Sequence, residues 1–289
     1  MRSCIRDVHP KSWPFLFFSY IALIIYCLSE ILYGKMKTYV NLTAEQIAKL
    51  EAQSCRFEDW SNVLVDPEFT PEFVRNVNFS GQIKLGAFRK VFTLAGGIQK
   101  HSGIFHATLH NVVVGDDCMI EHIRNYIANY VIGSGSYLEN VTDIITYGKT
   151  SFGNGIKVSV LNETGGREVA IHDHLSSHEA YISALYRHKP ELTEALDAMV
   201  AKYVESVSKP FGVIGENVEI LDAMHIVNVN IGAYAKIKGA SRLRNGSIIS
   251  CAEDPVMIGM NVIADDFIVE SGSRITDGVM ISKCFVGQS

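Results

Sequence analysis

The sequence lacks several patterns that would assign a protein of this size to a common functional class. Its six cysteines form no CxxC pair, and its 26 basic and 31 acidic residues form no basic stripe. These absences argue against a zinc knuckle, a disulfide framework and nucleic acid as a partner. No GxxxxGK[ST], GxSxG or GxGxxG motif occurs, which argues against the usual phosphate loops and hydrolase elbows. The 47% apolar content is enough for a large core in one long domain or two ordinary ones.

Residues 1–35 form a leader that differs from the rest of the chain. Three basic residues precede a run without charged side chains, and the apolar stretch 13–33 has about the length of a minimal membrane span. The leader could be a membrane anchor, or a signal peptide, although no small-residue cleavage site follows it. We favour a third interpretation, in which Met36 is the true start. The scattered cysteines then indicate a cytoplasmic protein, and the alternative is a membrane-anchored one.

The strongest pattern is an aliphatic or aromatic residue at every sixth position from about residue 77 onward. A period of six fits neither an α-helix at 3.6 residues nor an alternating strand at 2.0. Gly215 and Gly232 directly follow two of these positions. The residues in register, after Ile98 and Ile104, are Val114, Ile120, Tyr126, Ile132, Leu138 and Ile144, then Ile214, Ile220, Ile226, Ile231, Ile237, Leu243 and Ile249, and finally Ile263, Val269, Ile275 and Ile281.

This period predicts an all-β solenoid, a single-stranded left-handed β-helix of hexapeptide repeats. Six residues make one short strand and a corner, and three such units close a triangular coil of about eighteen residues. The aliphatic residue points inward, and Gly, Asn, Asp and Ser occupy the corners, as in the segment 133–136. A β-sandwich would instead give turn signals about every 8–12 residues. It would not hold six consecutive positions in one register.

Two helical regions interrupt or precede the predicted solenoid. Thr43 and Gln46 form a capping box for a short N-terminal helix. Asp173 is the predicted cap of the first helix of an inserted helical hairpin, and Pro190 is the predicted first residue of the second helix. The predicted organisation is a leader (1–35), an N-terminal helix and cap (36–76), a first β-helical part (77–162), the hairpin (163–210) and a truncated second part (211–289).

Several short motifs occur among or beside the repeats. They are Phe79-Ser80-Gly81, Gly97-Ile98, Ser102-Gly103-Ile104, Ile127-Ala128-Asn129-Tyr130, Asn162-Glu163-Thr164-Gly165-Gly166-Arg167 and Phe285-Val286-Gly287-Gln288. These motifs resemble those of an uncharacterised family of long bacterial hexapeptide-repeat proteins, a domain of unknown function found in the Bacteroidetes. The resemblance covers residue 36 to the C-terminus, implies that a C-terminal half is absent here, and implies no activity. More distantly, the chain is similar to the hexapeptide acyltransferase superfamily.

The similarity to hexapeptide acyltransferases implies a histidine general base in a cleft between two neighbouring triangular β-helices. Acetyl-CoA or another acyl donor would supply the acyl group, and neutral imidazole suits the proton transfer. The segment His106-Ala107-Thr108, followed by 112–115, is similar to an element of serine acetyltransferases, with two extra residues between its halves. The alternative is that these are corner or surface histidines. The candidate catalytic residues are His106, His110 and His225, and His101 and His122 are further candidates.

Two histidine patterns suggest metal binding but fall short of a site. His101 and His106 are similar to part of the three-histidine centre of a zinc hydratase, but the third ligand is missing from the segment upstream. His174 and His178 have i, i+4 spacing, yet they stand with His172 and Asp173 at a helix start. We expect a solvated helix end there. No metal site is predicted.

The sequence supports two classes of function. The first is a transferase, with acyl transfer to a sugar nucleotide or other small acceptor, no covalently bound cofactor, and a homotrimer as the expected assembly. The second is a non-catalytic β-helix that scaffolds or binds carbohydrate. A third interpretation is that this half supports a site located downstream.

Overall fold

The computed structural model of the chain describes residues 37–162 and 164–288. The predicted leader and the predicted start at Met36 lie outside these residues. The helices are α1 (Ala44–Ala52), α2 (Ser177–Leu185) and α3 (Pro190–Val207). The strands are β1 (Val40–Asn41), β2 (Val63–Val65), β3 (Val74–Leu85), β4 (Val91–Thr93), β5 (Gln99–His101), β6 (Gly103–Val114), β7 (Met119–Glu121), β8 (Tyr126–Ile132), β9 (Tyr137–Glu139), β10 (Asp143–Ile145), β11 (Lys157–Ser159), β12 (Glu168–Ala170), β13 (Gly212–Ile214), β14 (Glu219–Leu221), β15 (His225–Ile231), β16 (Lys236–Lys238), β17 (Arg242–Ile248), β18 (Met257–Ile258), β19 (Ile263–Val269), β20 (Arg274–Ile275) and β21 (Met280–Val286).

Seventeen of the described strands form one large sheet, which is parallel except where β1 meets β2. Its pairings fall into three ladders of stacked inward side chains. Face A stacks Ile104, Ile120, Leu138, Ile220, Ile237, Ile258 and Ile275. Face B stacks Leu109, Ile127, Ile144, Ile226, Leu243, Ala264 and Ile281. Face C stacks Val114, Ile132, Ile214, Ile231, Ile248, Val269 and Val286.

These ladders build one continuous hydrophobic core. Ile120, Ile132, Leu138 and Ile144 are all fully buried in it, as the period of six predicts. Strands that are buried against both neighbouring coils gain stability mainly from those neighbours, as in stacked repeat proteins. The mostly β architecture and its parallel pairing are therefore consistent with a β-solenoid.

The inward residue differs from the predicted one at four places. Tyr126 is 37% exposed, and Ile127 takes the inward position instead. Ile248 and Ala264 likewise replace Ile249 and Ile263 in the ladders. The reason is that the corners do not all contain the same number of residues, so a strict period of six slips by one. Ile98 is the fourth case.

Ile98 lies outside the ladders because the chain makes an excursion there. Strands β4 and β5 pair antiparallel as a hairpin of their own, and Ile98 is 60% exposed near its tip. The turn requires left-handed backbone at Gly96 and Gly97, with φ of 79° and 82°. The hairpin (residues 91–101) becomes one wall of the groove described below.

Corners of the coils repeatedly carry non-glycine residues with left-handed backbone. Most are asparagine or aspartate, which tolerate this conformation best. Two histidines, His106 and His122, also adopt it, with φ of 53° and 55°. Some corner side chains bond from coil to coil, as where the amide of Asn111 donates to Asn129 over 3.2 Å.

A segment between Ile145 and Gly212 leaves the ladders and carries α2, α3 and the antiparallel pair β11–β12. Pro190 is the first residue of α3, as predicted. Ser176 caps α2 in place of the predicted Asp173. Asp173 has other partners, because its carboxylate accepts the Tyr203 hydroxyl of α3 and its N–H donates to Asn154.

The short N-terminal helix α1 begins as the sequence predicts. Thr43 Oγ1 accepts from the Gln46 N–H at 3.2 Å, and Gln46 Oε1 accepts from the Thr43 N–H at 2.9 Å. This reciprocal capping box satisfies two N–H groups that the helix itself leaves unpaired. Among residues 37–162 and 164–288, no helix has the length and apolar character needed to cross a membrane.

The core also pairs large with small residues across neighbouring coils. The Tyr130 ring occupies the space above Gly212, where any β-carbon would overlap it. Its hydroxyl donates to the Val229 carbonyl at 2.8 Å and accepts from the Val229 N–H at 3.2 Å. Phe267 fills the equivalent space against Gly246. Each ring thus fills the space that a glycine in the paired strand leaves open.

Candidate binding groove

The outward residues of face A form the floor of a groove. Because side chains alternate along a strand, the buried Leu138, Ile220 and Ile237 turn their neighbours outward. The floor residues thereby presented are Tyr137 and Glu139 of β9, Glu219 and Leu221 of β14, and Lys236 and Lys238 of β16.

Two excursions of the chain wall this floor. The β4–β5 hairpin contributes Phe92 and Leu94 on one side, and the segment 250–255 contributes Ala252 and Pro255 on the other. That segment belongs to a coil longer than its neighbour, since Ile237 pairs with Ile258 whereas Ile220 pairs with Ile237. The resulting groove has a volume of about 780 Å³, within the usual range of small-molecule sites. In repeat proteins, insertions often gather on the face that binds ligand.

Aromatic rings line the groove together with lysines. The Phe92 ring stacks on that of Tyr137, with centroids 5.5 Å apart and an angle of 28° between their planes. The Lys90 ammonium lies 4.5 Å from the centroid of the Phe92 ring. Tyr234, at a corner beside the groove, is 39% exposed. The groove therefore offers ring surfaces to a planar ligand and cations to an anionic one.

Two lysines and a glutamate lie side by side on the floor of the groove. Lys236 and Lys238 flank Glu219, with Nζ to carboxylate distances of 3.9 and 3.4 Å. All three side chains are substantially exposed, and exposed ion pairs of this kind are weak. An anionic ligand can therefore compete with Glu219 for the two ammonium groups at little cost.

Lys100 anchors the hairpin at the opposite end of the groove. Its ammonium contacts Glu121 at 2.6 Å and Glu139 at 2.8 Å, and Glu139 also accepts the Tyr137 hydroxyl. Burial acts to lower the pKa of Lys100, but the hydrogen bonds and charges of the two glutamates outweigh it and raise the pKa overall. The pair of glutamates thus holds one firmly protonated lysine.

Glu121, Glu139 and His122 also have the spacing of a metal-ligating group. Their nearest ligand atoms all lie within 4.8 Å of one another. However, the Lys100 ammonium already binds both carboxylates. A divalent cation would have to displace a lysine from its two strongest partners, so this cluster is better explained as an ion-pair network.

The structure places the predicted catalytic histidines at three different points. His106 is exposed at its corner, with Nδ1 2.7 Å from the Asn76 amide nitrogen, and its ring stacks on His122 with centroids 5.2 Å apart. His110 has partners at both ring nitrogens, Ser80 Oγ at 2.8 Å and the Asn111 amide at 3.0 Å.

His225 is the predicted histidine that has a carboxylate partner. Its Nδ1 lies 3.0 Å from Asp143 Oδ2, and the Asp143 side chain is only 13% exposed. This contact orients the ring and turns Nε2 away from the carboxylate. His225 lies on face B, whereas the groove lies on face A. His106 and His110 are not near His225, and neither of them lines the groove. The three histidines therefore do not form one site, and their catalytic role stays a prediction.

The other histidines have structural surroundings. The ring of His101 stacks face to face on Phe73, with centroids 3.6 Å apart. His172 is buried, with Nε2 3.0 Å from Glu179 and Nδ1 accepting from the His174 N–H at 3.3 Å. The expectation of a solvated helix end is therefore wrong for His172, because the ring links the start of α2 to the residues before it. His174 packs against Tyr203.

The sequence did not indicate the groove. Its floor comes from outward positions in coils that are far apart in sequence, and such positions follow no period. One available signal was the failure of the six-residue register between Leu85 and Gly103, where the hairpin leaves the coil. A second was the longer spacing between Ile237 and Ile258.

The fold and groove define a mostly β protein with a large parallel sheet and a ligand-sized groove on one face. A family model described as a domain of unknown function, DUF4954, matches residues 39–289, and the chain belongs to this family. The predicted membership of an uncharacterised family is thereby confirmed. The chain is also similar to a protein of Treponema pallidum (strain Nichols) described as uncharacterized, with 26% identity over 245 residues, which cover 81% of this chain and 34% of the relative. The match thus spans about a third of that relative.

Proposed function

We propose that this chain is a left-handed β-helix of hexapeptide repeats that binds a phosphorylated, ring-bearing small molecule of the sugar-nucleotide class. Three ladders of short parallel strands and corners with left-handed residues support the β-helical architecture. The face A groove supports the binding function. It is the observation on which the proposal rests, because a regular coil face is nearly flat and two separate excursions wall this one.

The chemistry of the groove favours this class of ligand. A planar base can pack against the exposed ring of Tyr234 and the partly exposed ring of Phe92, which stacks on the buried Tyr137, since aromatic side chains accept flat rings without sequence-specific contacts. Phosphate oxygens can bind Lys236 and Lys238 at the same time. A volume of about 780 Å³ accommodates both of these parts.

Isothermal titration of the protein with UDP-glucose tests the proposal. We expect saturable binding that weakens about tenfold in the double variant Lys236→Ala/Lys238→Ala, which removes charge-assisted hydrogen bonds. Tyr234→Asn keeps a residue that tolerates the corner backbone but removes the ring, and it should weaken binding by a similar factor. Lys157→Ala removes an exposed lysine of the inserted segment and serves as the matched control. Equal affinity of all four proteins, or no binding to the wild type, would contradict the proposal.

A second candidate function is acyl transfer, and the His225–Asp143 contact favours it. His225 Nε2 would take the proton from an acceptor hydroxyl while the hydroxyl oxygen forms a bond to the carbonyl carbon of an acyl thioester such as acetyl-CoA. The thiolate then leaves and takes up the proton. A second copy of the chain, in the expected homotrimer, would have to complete the exposed surface around His225.

Release of the free CoA thiol from acetyl-CoA, with UDP-glucose as the acceptor, measures this activity. His225→Ala and Asp143→Asn should both reduce it, whereas His106→Ala and His110→Ala serve as comparisons for the other predicted bases. No thiol release above the uncatalysed rate would leave the chain as a non-catalytic binding protein or scaffold.

A cytoplasmic location is part of the proposal, and the free thiols of Cys55 and Cys118 support it.

A further inference from the structure

A smaller chamber opens beside the groove at the corner between faces A and B. It has a volume of about 370 Å³ and is lined by His122, Glu139, Asn140, Leu221 and Asp222. We infer that this corner chamber binds the uncharged, hydroxyl-rich end of the ligand whose anionic and ring-bearing parts occupy the groove. The inference rests on the proposed function and adds to it the direction in which the ligand lies.

The chamber and the groove are adjacent and share two lining residues. Glu139 and Leu221 line both of them, and these two residues are partners in the register of β9 with β14. They therefore form the boundary between the two spaces. A ligand in the groove needs to pass only one pair of side chains to reach the chamber.

The polar groups of the chamber are held in place by the corner backbone. His122, Asn140 and Asp222 adopt φ of 55°, 56° and 55° in successive coils, so that their side chains lie above one another. The Asn140 amide donates to Asp222, and its oxygen accepts from Arg124 Nη2 at 2.8 Å. Carboxylate, amide and imidazole groups in fixed positions are suited to adjacent hydroxyl groups, which both donate and accept hydrogen bonds.

The distribution of charge sets the orientation of the ligand. Among the described residues that line the chamber there is no lysine or arginine, and its two carboxylates already have partners, Lys100 on Glu139 and Asn140 on Asp222. The lining of the groove contains Lys90, Lys236 and Lys238 together with Glu139 and Glu219. A phosphate therefore finds ammonium groups in the groove and none in the lining of the chamber, which leaves the chamber to the neutral hydroxyl-bearing part.

The test compares UDP-glucose with UDP by isothermal titration, in the wild type and in Asp222→Gly. Glycine adopts the left-handed backbone freely, so this variant removes the side chain without straining the corner. We expect wild-type protein to bind UDP-glucose about tenfold more tightly than UDP, and Asp222→Gly to lose that difference with its UDP affinity unchanged. His122→Asn provides a second variant at the same corner. Asp277→Gly, at an exposed corner with φ of 53° outside the chamber, is the matched control.

The outcomes distinguish a failure of the groove from a failure of the chamber. If the wild type binds neither compound, the proposed function and this inference are both wrong. If it binds UDP and UDP-glucose equally, or if Asp222→Gly and His122→Asn both keep the tenfold difference, the groove is supported and the chamber is not the hydroxyl subsite. A variant that weakens both compounds equally would also overturn the inference, because it would show a general effect on the groove.

Discussion

Replacing Tyr130 by phenylalanine removes one oxygen atom from the middle of the core and tests how neighbouring coils hold together. The ring of Tyr130 is 1% exposed, and its hydroxyl bonds both the N–H and the C=O of Val229. Strands β13 and β15 pair at a single pair of residues, Ile214 and Ile231, so the hydroxyl supplies hydrogen bonds that a longer ladder would have made. The substitution keeps the ring above Gly212.

The expected loss follows from the two backbone groups that the variant leaves without a partner. An unsatisfied buried polar group costs about 1–3 kcal/mol, and removal of the tyrosine hydroxyl offsets part of the total. We therefore expect Tyr130→Phe to lower the free energy of unfolding by about 2–4 kcal/mol. Urea denaturation followed by far-UV circular dichroism measures this change. The matched control is Tyr234→Phe, which alters a half-exposed ring and should change stability by less than about 0.5 kcal/mol.

A loss below about 0.5 kcal/mol for Tyr130→Phe would refute the reasoning, because it would mean that water or a shifted strand satisfies Val229 at no cost. A large change in the slope of the denaturation curve would point to a different unfolded or partly folded state and would require a second probe.

Three further predictions concern buried groups. Burial raises the pKa of Tyr130 to about 12. The stabilisation by the neutral hydroxyl is therefore complete below the unfolded pKa of about 10 and is lost as the pH rises through the folded pKa. In urea denaturations at a series of pH values, the free energy of unfolding should fall more steeply above about pH 10 for the wild type than for Tyr130→Phe. Burial likewise raises the pKa of the Cys118 thiol to about 12, so mass spectrometry should find Cys251 alkylated at pH 8 and Cys118 alkylated only in denaturant. Gly246→Ala should lower stability by about 1–3 kcal/mol in urea denaturation, because the new methyl group overlaps the Phe267 ring; Gly278→Ala, whose methyl group would meet no neighbour, reports the effect of the left-handed backbone alone.

The sequence predicted the repeating core better than the groove, for a physical reason. Ile120, Leu138 and Ile144 must all fill one narrow interior, so each coil imposes the same requirement and the requirement is visible as a period. The prediction that Tyr126 points inward is wrong, because Ile127 takes that position. One residue more or less at a corner changes which side chain points inward, and corners tolerate that change. Such slips follow no pattern in a single sequence.

The candidate site could not be predicted from the period of six, because it is formed by outward-facing side chains. The repeat constrains only the inward-facing ones. Glu139 and Leu221 meet at the edge of the groove although a whole inserted segment separates them in sequence. A histidine at an outward position looks the same in sequence whether it binds a carboxylate, as His225 does, or stacks on a ring, as His101 does. Only the pairing of coils shows which outward residues are neighbours.

The return of the chain after the inserted segment has a consequence for how such proteins can acquire new parts. Ala128 pairs with Ile145 and Tyr130 pairs with Gly212, and a single residue, Asn129, bridges the same gap in the preceding coil. The whole excursion thus departs and rejoins across the width of one amino acid. Because the free-energy cost of closing a loop grows only slowly with its length, by about 0.6 kcal/mol for each doubling, a longer insertion at this point would add little to the cost of closing the coil. The strands before and after the inserted segment still pair with the same residues of the preceding coil as they would without the insertion.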